Sequence, residues 1–354
     1  MKVLTVVGAR PQFVKAFPVS RALREAHDEV LVHTGQHYDE GLSDVFFEEL
    51  DIPEPDHHLG VGSASHATQT AEMMTGIERL VDAEEPDAVL LYGDTNSTLA
   101  GAVVAAKEDV TVAHVEAGLR SDNWTMPEEV NRVLTDHASD LLFAPSEAAA
   151  ANLREEGITD GVTVTGDVMQ DAILHARERA VEGSSILAEL GVDDGEYVLA
   201  TVHRAGNTDD PARLEAIMSG LAAAPRPVVF PAHPRTVGAL EEHGLWKRYA
   251  DEIRLIEPVG YLDFVRLLDG AERVATDSGG VQKEAFYLDT PCVTLRDETE
   301  WTETVDCGWN VLVGADEATI REALAVDFVP PDKPPLYGDG AAAATIREVL
   351  GGAR

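Results

Sequence analysis

Basic residues are scarce in this chain. Its 354 residues include 27 lysines and arginines against 64 aspartates and glutamates, a net charge of -37, and lysine occurs only at positions 2, 15, 107, 247, 283 and 333. A field of that sign repels phosphate backbones and anionic lipid, which excludes nucleic acid and membrane surfaces as partners. It predicts a halophilic acidic surface built for molar salt, where the screening length falls to about 3 Å and self-repulsion largely disappears. Long hydrophobic runs are missing too: none approaches the roughly 20 apolar residues that cross a bilayer. The N-terminus, Met1-Lys2-Val3-Leu4-Thr5-Val6-Val7, reads as a strand running into Gly8 rather than a leader, so a cytoplasmic setting is expected.

Cysteine is nearly absent. Cys292 lies in an apolar run and Cys307 follows a helical pattern, and neither has the spacing of a metal or redox site. His57 and His58 precede a loop and no H-E-x-x-H occurs, so no metal is expected. The chain has no G-x-G-x-x-G, no G-x-x-x-x-G-K-[ST] and no G-x-S-x-G, which removes NAD, ATP and an acyl-transfer serine as default readings. No cofactor is expected.

What is present is alternation. Residues 3–7, 30–33, 88–92, 112–115 and 141–144 read as strands, separated by helical patterns at 11–26, 64–81, 95–107 and 128–137. Strands alternating with helices of that length imply parallel βαβ units in a sheet covered on both faces. A second cycle follows, with strands at 197–202, 227–230, 253–256, 274–276, 292–295 and 311–313 and helices such as 211–223 and 281–287. The expected fold is therefore α/β, two Rossmann-like domains facing a cleft. The first spans 1–166, the second 167–337, and a last helix within 338–354 packs back on the first. Domain interfaces favour ligand sites.

Several strand tips carry chemistry. Asp94 follows the strand ending at Tyr92, and Glu116 follows the strand ending at Val115. In an open parallel sheet such tips share one crevice, and carboxylates gathered there suit acid and base work. Pro127 pre-sets a helix whose first turn holds Glu128 and Glu129, which the helix dipole favours in any case. Gly8-Ala9-Arg10-Pro11 opens the first helix, where backbone N–H groups with Arg10 and Lys15 can receive an anion. In the second half, Thr276-Asp277-Ser278-Gly279-Gly280 opens a helix whose paired glycines let a pyrophosphate approach. Glu284, one turn on, can accept from ribose hydroxyls. His203-Arg204 and His233 stand at two further strand tips.

Taken in order, these stretches, with His114-Val115-Glu116-Ala117-Gly118-Leu119-Arg120, Pro127-Glu128-Glu129-Val130-Asn131-Arg132 and Arg296-Asp297, resemble the non-hydrolysing UDP-N-acetylglucosamine 2-epimerases over essentially the whole chain. The resemblance implies the glycosyltransferase-B fold, a homodimer and an isomerase that supplies a polysaccharide precursor. It implies inversion at C2 of UDP-GlcNAc, giving UDP-ManNAc by elimination and re-addition of UDP. On that likeness Asp94, Glu116, Glu128 and His203 are catalytic. Arg10, Lys15, His233, Phe264, Ser278, Gly279, Gly280 and Glu284 bind the UDP-sugar, with Phe264 near the uracil. Many members carry Arg where this chain has Trp301. Gln36, Arg204 and His233 match the regulatory substrate site of many bacterial members, whereas Asp39 and Thr75 depart from it. Segments around Gly8, Val32 and Gly166 also look like the branch acting on UDP-2,3-diacetamido-2,3-dideoxyglucuronic acid, the nearest alternative. A glycosyltransferase on the same fold and a silent nucleotide-sugar-binding protein are the rivals from other classes.

Overall fold

Val3 to Val7 and Ala88 to Leu91 are apolar at nearly every position, the mark of strands buried on both faces. In a computed structural model, describing residues 1–36, 53–326, 329 and 331–352, they lie side by side at the centre of a parallel sheet. His37, Asp39 and Pro330 lie outside the described residues, as does the side chain of Arg10. The chain divides into two compact units, 1–172 with 335–354, and 173–334.

The first unit runs β1 (Lys2–Val7), α1 (Arg10–Arg24), β2 (Asp28–His33), β3 (His57–His58), α2 (His66–Glu84), β4 (Ala88–Tyr92), α3 (Asn96–Lys107), β5 (Thr111–Val115), α4 (Pro127–Ala138), β6 (Leu141–Ala144), α5 (Glu147–Glu155) and β7 (Val162–Val164). The strand order is β3-β2-β1-β4-β5-β6-β7. Direction of growth reverses between β1 and β4, so the crevice outside their C-terminal ends is where such a sheet takes a ligand. Leu4, Val6, Val89 and Leu91 form one core with Met73 and Ile77 of α2 and with Ala100 and Val104 of α3. Each fully buried Leu or Val there contributes about 2 kcal/mol.

α6 (Val168–Gly183) leads into the second unit, which runs α7 (Ile186–Leu190), β8 (Val198–Thr201), α8 (Ala205–Thr208), α9 (Pro211–Ala222), β9 (Val228–Pro231), α10 (Pro234–Glu242), α11 (Leu245–Tyr249), β10 (Ile253–Ile256), α12 (Tyr261–Asp269), β11 (Arg273–Thr276), α13 (Gly279–Tyr287), β12 (Cys292–Thr294), α14 (Thr302–Asp306), β13 (Asn310–Leu312) and α15 (Glu317–Ala325). Its sheet, again parallel, has the order β10-β9-β8-β11-β12-β13, with the reversal between β8 and β11. The tail returns to the first unit, where α16 (Ala342–Gly352) packs on α1. Asp171 receives the first amides of α16, from Ala342 at 3.2 Å and Ala343 at 2.9 Å. The division between the two units falls inside α6, between Ala172 and Ile173.

No described helix is long and apolar enough to cross a membrane. Among the described residues no group of three or more His, Cys, Asp or Glu side chains could hold a metal ion.

Candidate active site

In the first unit the register of β4 against β5 sets Tyr92 opposite Val115, so the turns carrying Asp94 and Glu116 leave the sheet together. Both turns are tight. Gly93 sits at φ +61° and Glu116 at φ +70°, a left-handed conformation that costs a non-glycine residue about 1 kcal/mol or more. Each carboxylate has its own cation. Glu116 pairs with Lys15 of α1, and Asp94 with Arg132 of α4. A Cβ built on Gly93 would lie 3.3 Å from Glu116 Oε2 and 3.5 Å from Lys15 Nζ, so glycine keeps the space over that pair open. Burial alone would lower the Lys15 ammonium, but Glu116, Asp94 and Asp167 outweigh it and hold Lys15 above the ordinary lysine value.

The two glutamates that open α4 part company. Glu128 is exposed, and its carboxylate makes no hydrogen bond among the described residues. Glu129 is 1% exposed. It accepts from the backbone N–H groups of Ser121 and Asp122, from the Ser121 hydroxyl at 2.9 Å and from Arg132 at 3.0 Å. Burial would raise its carboxyl, but these donors prevail and leave it below the usual range. It anchors the loop between β5 and α4, and through Arg132 it is tied to Asp94. Asn131 completes the support by donating to the Asp94 carbonyl at 2.9 Å.

The first helix corrects one expectation. The amides of Gly8 and Ala9, expected to receive an anion, donate instead to Gln12 Oε1 at 2.8 and 3.1 Å. Gln12 in turn donates to the Tyr92 carbonyl at 2.7 Å. Gly8 serves packing: a Cβ there would fall 2.1 Å from Ser97 Oγ and 2.2 Å from Thr34 Oγ1. Of the residues matching a regulatory site, Gln36 accepts from the Ser97 amide at 3.1 Å, and the Thr75 hydroxyl donates to the Ala71 carbonyl of its own helix.

In the second unit the polar groups collect at the β8/β11 reversal. Asp277 is fully buried and accepts from the backbone N–H of His203 at 3.0 Å, that of Arg204 at 3.0 Å and Asn207 Nδ2 at 3.0 Å. It stands 3.5 Å from His203 Nδ1, and the His203 ring lies 6.3 Å from that of His233, the N-cap of α10. Ser278 caps α13, its hydroxyl accepting from the Val281 amide at 3.4 Å. A Cβ on Gly280 would meet only Ser278 Oγ, at 3.9 Å, so no protein atom demands glycine there. Trp301 Nε1 donates to the Gly279 carbonyl at 2.8 Å, and Lys283 lies over its ring at 4.4 Å. Glu300 bridges Arg204 at 3.3 Å and Arg296 at 2.7 Å. No described cation pairs with Glu284, and desolvation pushes its carboxyl up to about 7. Its charge is felt by Tyr261, which shares α12 with the half-buried Phe264.

Side chains outside the expected set therefore shape both sites: Arg132, Glu129 and Gln12 in one unit, Asp277, Trp301 and Glu300 in the other. All six stand within or beside the motif stretches, but their partners are up to 96 residues away in sequence, as for Arg204 and Glu300.

Two open parallel sheets with their polar side chains gathered at the reversals define an α/β protein of the glycosyltransferase-B class. A family model described as UDP-N-acetylglucosamine 2-epimerase matches residues 21–351. The chain belongs to that family, whose reaction is an isomerisation. It is 49% identical to a UDP-N-acetylglucosamine 2-epimerase homolog of Methanococcus maripaludis, covering 99% of each chain. It is 48% identical to the UDP-2,3-diacetamido-2,3-dideoxy-D-glucuronate 2-epimerase of Pseudomonas aeruginosa, with the same coverage. Two structures of the UDP-GlcNAc 2-epimerase of Methanocaldococcus jannaschii superpose with TM-scores of 0.91 and 0.78 at 41% and 42% identity, covering 100% of each chain; the second is in complex with UDP-GlcNAc and UDP.

Proposed function

We propose that this protein is a non-hydrolysing UDP-GlcNAc 2-epimerase, interconverting UDP-GlcNAc and UDP-ManNAc. The observation that carries the reading is the pair of cation-held carboxylates, Asp94 and Glu116, at neighbouring strand tips. In the reaction the C1–O bond breaks first and UDP leaves with the bonding electrons, because a C2 proton is too weakly acidic to leave on its own. A carboxylate then takes that proton, giving the 2-acetamidoglycal with its double bond between C1 and C2. Delivery of a proton to the opposite face of C2 and return of UDP to C1 complete the inversion. Two faces call for two proton carriers, and proton transfer by each contributes roughly 100- to 10,000-fold.

Lys15 has a double part in this reading. It steadies Glu116 in the free protein, and the charge gathering on a departing phosphate attracts the same ammonium, leaving Glu116 free to act as a base. The Ser278-Gly279-Gly280 turn takes the diphosphate, Glu284 the ribose hydroxyls and Phe264 the uracil. His203, held by Asp277, Arg10 and His233 serve the diphosphate side. A carboxylate beside the leaving diphosphate is also the reason for Arg132: it keeps Asp94 placed. Homodimerisation and a cytoplasmic setting accompany the family likeness and belong to the same proposal.

The test is Asp94→Asn, assayed with UDP-GlcNAc and with UDP-2,3-diacetamido-2,3-dideoxyglucuronic acid beside the unaltered enzyme. We expect turnover of UDP-GlcNAc, undiminished UDP binding by the variant, and a loss of roughly 100- to 10,000-fold in its rate. Turnover of the diacetamido sugar alone would move the protein to the sister activity suggested by its Pseudomonas relative. Unchanged turnover in the variant would remove Asp94 from the mechanism.

A further inference from the structure

His114 opens the His-Val-Glu stretch that ends on Glu116. It is fully buried on β5. Its Nδ1 lies 2.7 Å from Asp136 Oδ1 of α4 and its Nε2 lies 2.7 Å from the carbonyl oxygen of Gly93. A carbonyl oxygen can only accept. Asp136 also accepts here, since its other oxygen takes the Gly118 amide at 3.1 Å and Arg120 Nη1 at 2.7 Å; burial would raise its carboxyl, but His114 and Arg120 hold it below the usual carboxylate range. Both ring nitrogens therefore face acceptors, and a neutral imidazole has only one N–H to give.

We propose that His114 is a positioning residue that works as a buried imidazolium, its two N–H groups tying the Gly93 carbonyl to the Asp136 carboxylate and so fixing where Asp94 and Glu116 stand. The connectivity is short. Gly93 precedes Asp94. Asp136 grips the amide of Gly118, two residues beyond Glu116. One proton-rich ring thus braces both left-handed turns from beneath. The charged groups around it are Asp136 in direct contact and Arg120 across that carboxylate, with Lys15 and Glu116 beyond Gly93. A neutral ring at this place would turn a lone pair toward an oxygen lone pair and release one of the two turns.

The proposal rests on the epimerase reading only for its kinetic arm, so its first test uses the substrate-free enzyme. Nitrogen-15 NMR of the histidine rings reports protonation directly. We expect one ring with both nitrogens protonated, a signature lost in His114→Gln. A His114 ring with one bare nitrogen at neutral pH overturns the proposal whatever the enzyme turns out to do. In the kinetic arm, the glutamine can donate to one acceptor but sets its carbonyl against the other. We expect kcat to fall roughly 100-fold, the cost of displacing catalytic groups by about 1 Å, with KM and UDP affinity within about threefold of the unaltered enzyme. Equal loss in kcat and UDP affinity, or no loss in either, refutes the positioning role. If His114→Gln does not fold, Asp136→Asn replaces it, and its His114 ring is expected to carry a single proton.

Discussion

Glu284 offers a perturbation whose size follows from its surroundings. It sits on α13 with no described cation paired to it, and desolvation raises its carboxyl from 4.5 to about 7. At about 1.4 kcal/mol per tenfold this is worth about 3 kcal/mol as a ceiling, and roughly half of that for a side chain that keeps some contact with water. The sign is unfavourable to the fold. Below 4.5 both the folded and unfolded chains hold the proton and Glu284 contributes nothing. Between 4.5 and about 7 the folded protein keeps a proton that the unfolded chain has released, so stability falls as pH rises through that window and stays low above it. Glu284→Gln, permanently neutral, removes this penalty. Denaturant unfolding at constant high KCl should show the variant more stable by roughly 1–3 kcal/mol at about pH 8 and equal to the parent at about pH 4. Ribose hydroxyls donate to the charged form, so UDP affinity of the parent rises with pH toward 7 and then levels, while the variant binds UDP more weakly and without that slope. A stability difference that is the same at both pH values would refute the desolvation argument, and undiminished UDP binding by the variant would refute the ribose assignment.

The glycines make a paired prediction. Gly8→Ala places a methyl group about on top of Ser97 Oγ and Thr34 Oγ1 and should cost 1–3 kcal/mol, roughly the penalty of overpacking, read as a lower denaturation midpoint. Gly280→Ala finds open space, so its midpoint should stay within about 0.5 kcal/mol of the parent while calorimetry shows weaker UDP binding. The reverse pattern would show that the two turns had been assigned the wrong way round. The net charge of -37 predicts a melting temperature that climbs with KCl as self-repulsion is screened; full stability in dilute buffer contradicts it.

Much of the fold was legible because its strands are short, apolar and cleanly bounded. Residues 88–92 and 141–144 could be delimited from hydrophobic runs alone, and they match β4 and β6. Boundaries shifted where local propensity misleads. α13 begins at Gly279 rather than at Val281, because the Ser278 cap and the sheet behind it outweigh the reluctance of two glycines to be helical. His57 and His58 do precede a loop, but they also form β3, a two-residue strand that exists through pairing with β2 and that their sequence does not signal. At the sites, the motif residues could be placed at strand tips by periodicity, but their partners could not. The ion pair of Arg132 with Asp94 spans 38 residues and that of Lys15 with Glu116 spans 101, and no local pattern encodes such a meeting. Gln12 shows the converse: a helix N-terminus that looks open to an anion is already filled by a side chain four residues on.

Proton NMR of the purified enzyme with UDP-GlcNAc in D2O at high KCl tests the central claim most directly. An epimerase that removes the C2 proton and returns one from solvent must place deuterium at C2 while a new manno signal grows in, and both changes are expected in the same tube. A UDP-GlcNAc spectrum that keeps its C2 proton and gains no manno signal would contradict the assignment of this chain as a UDP-GlcNAc 2-epimerase.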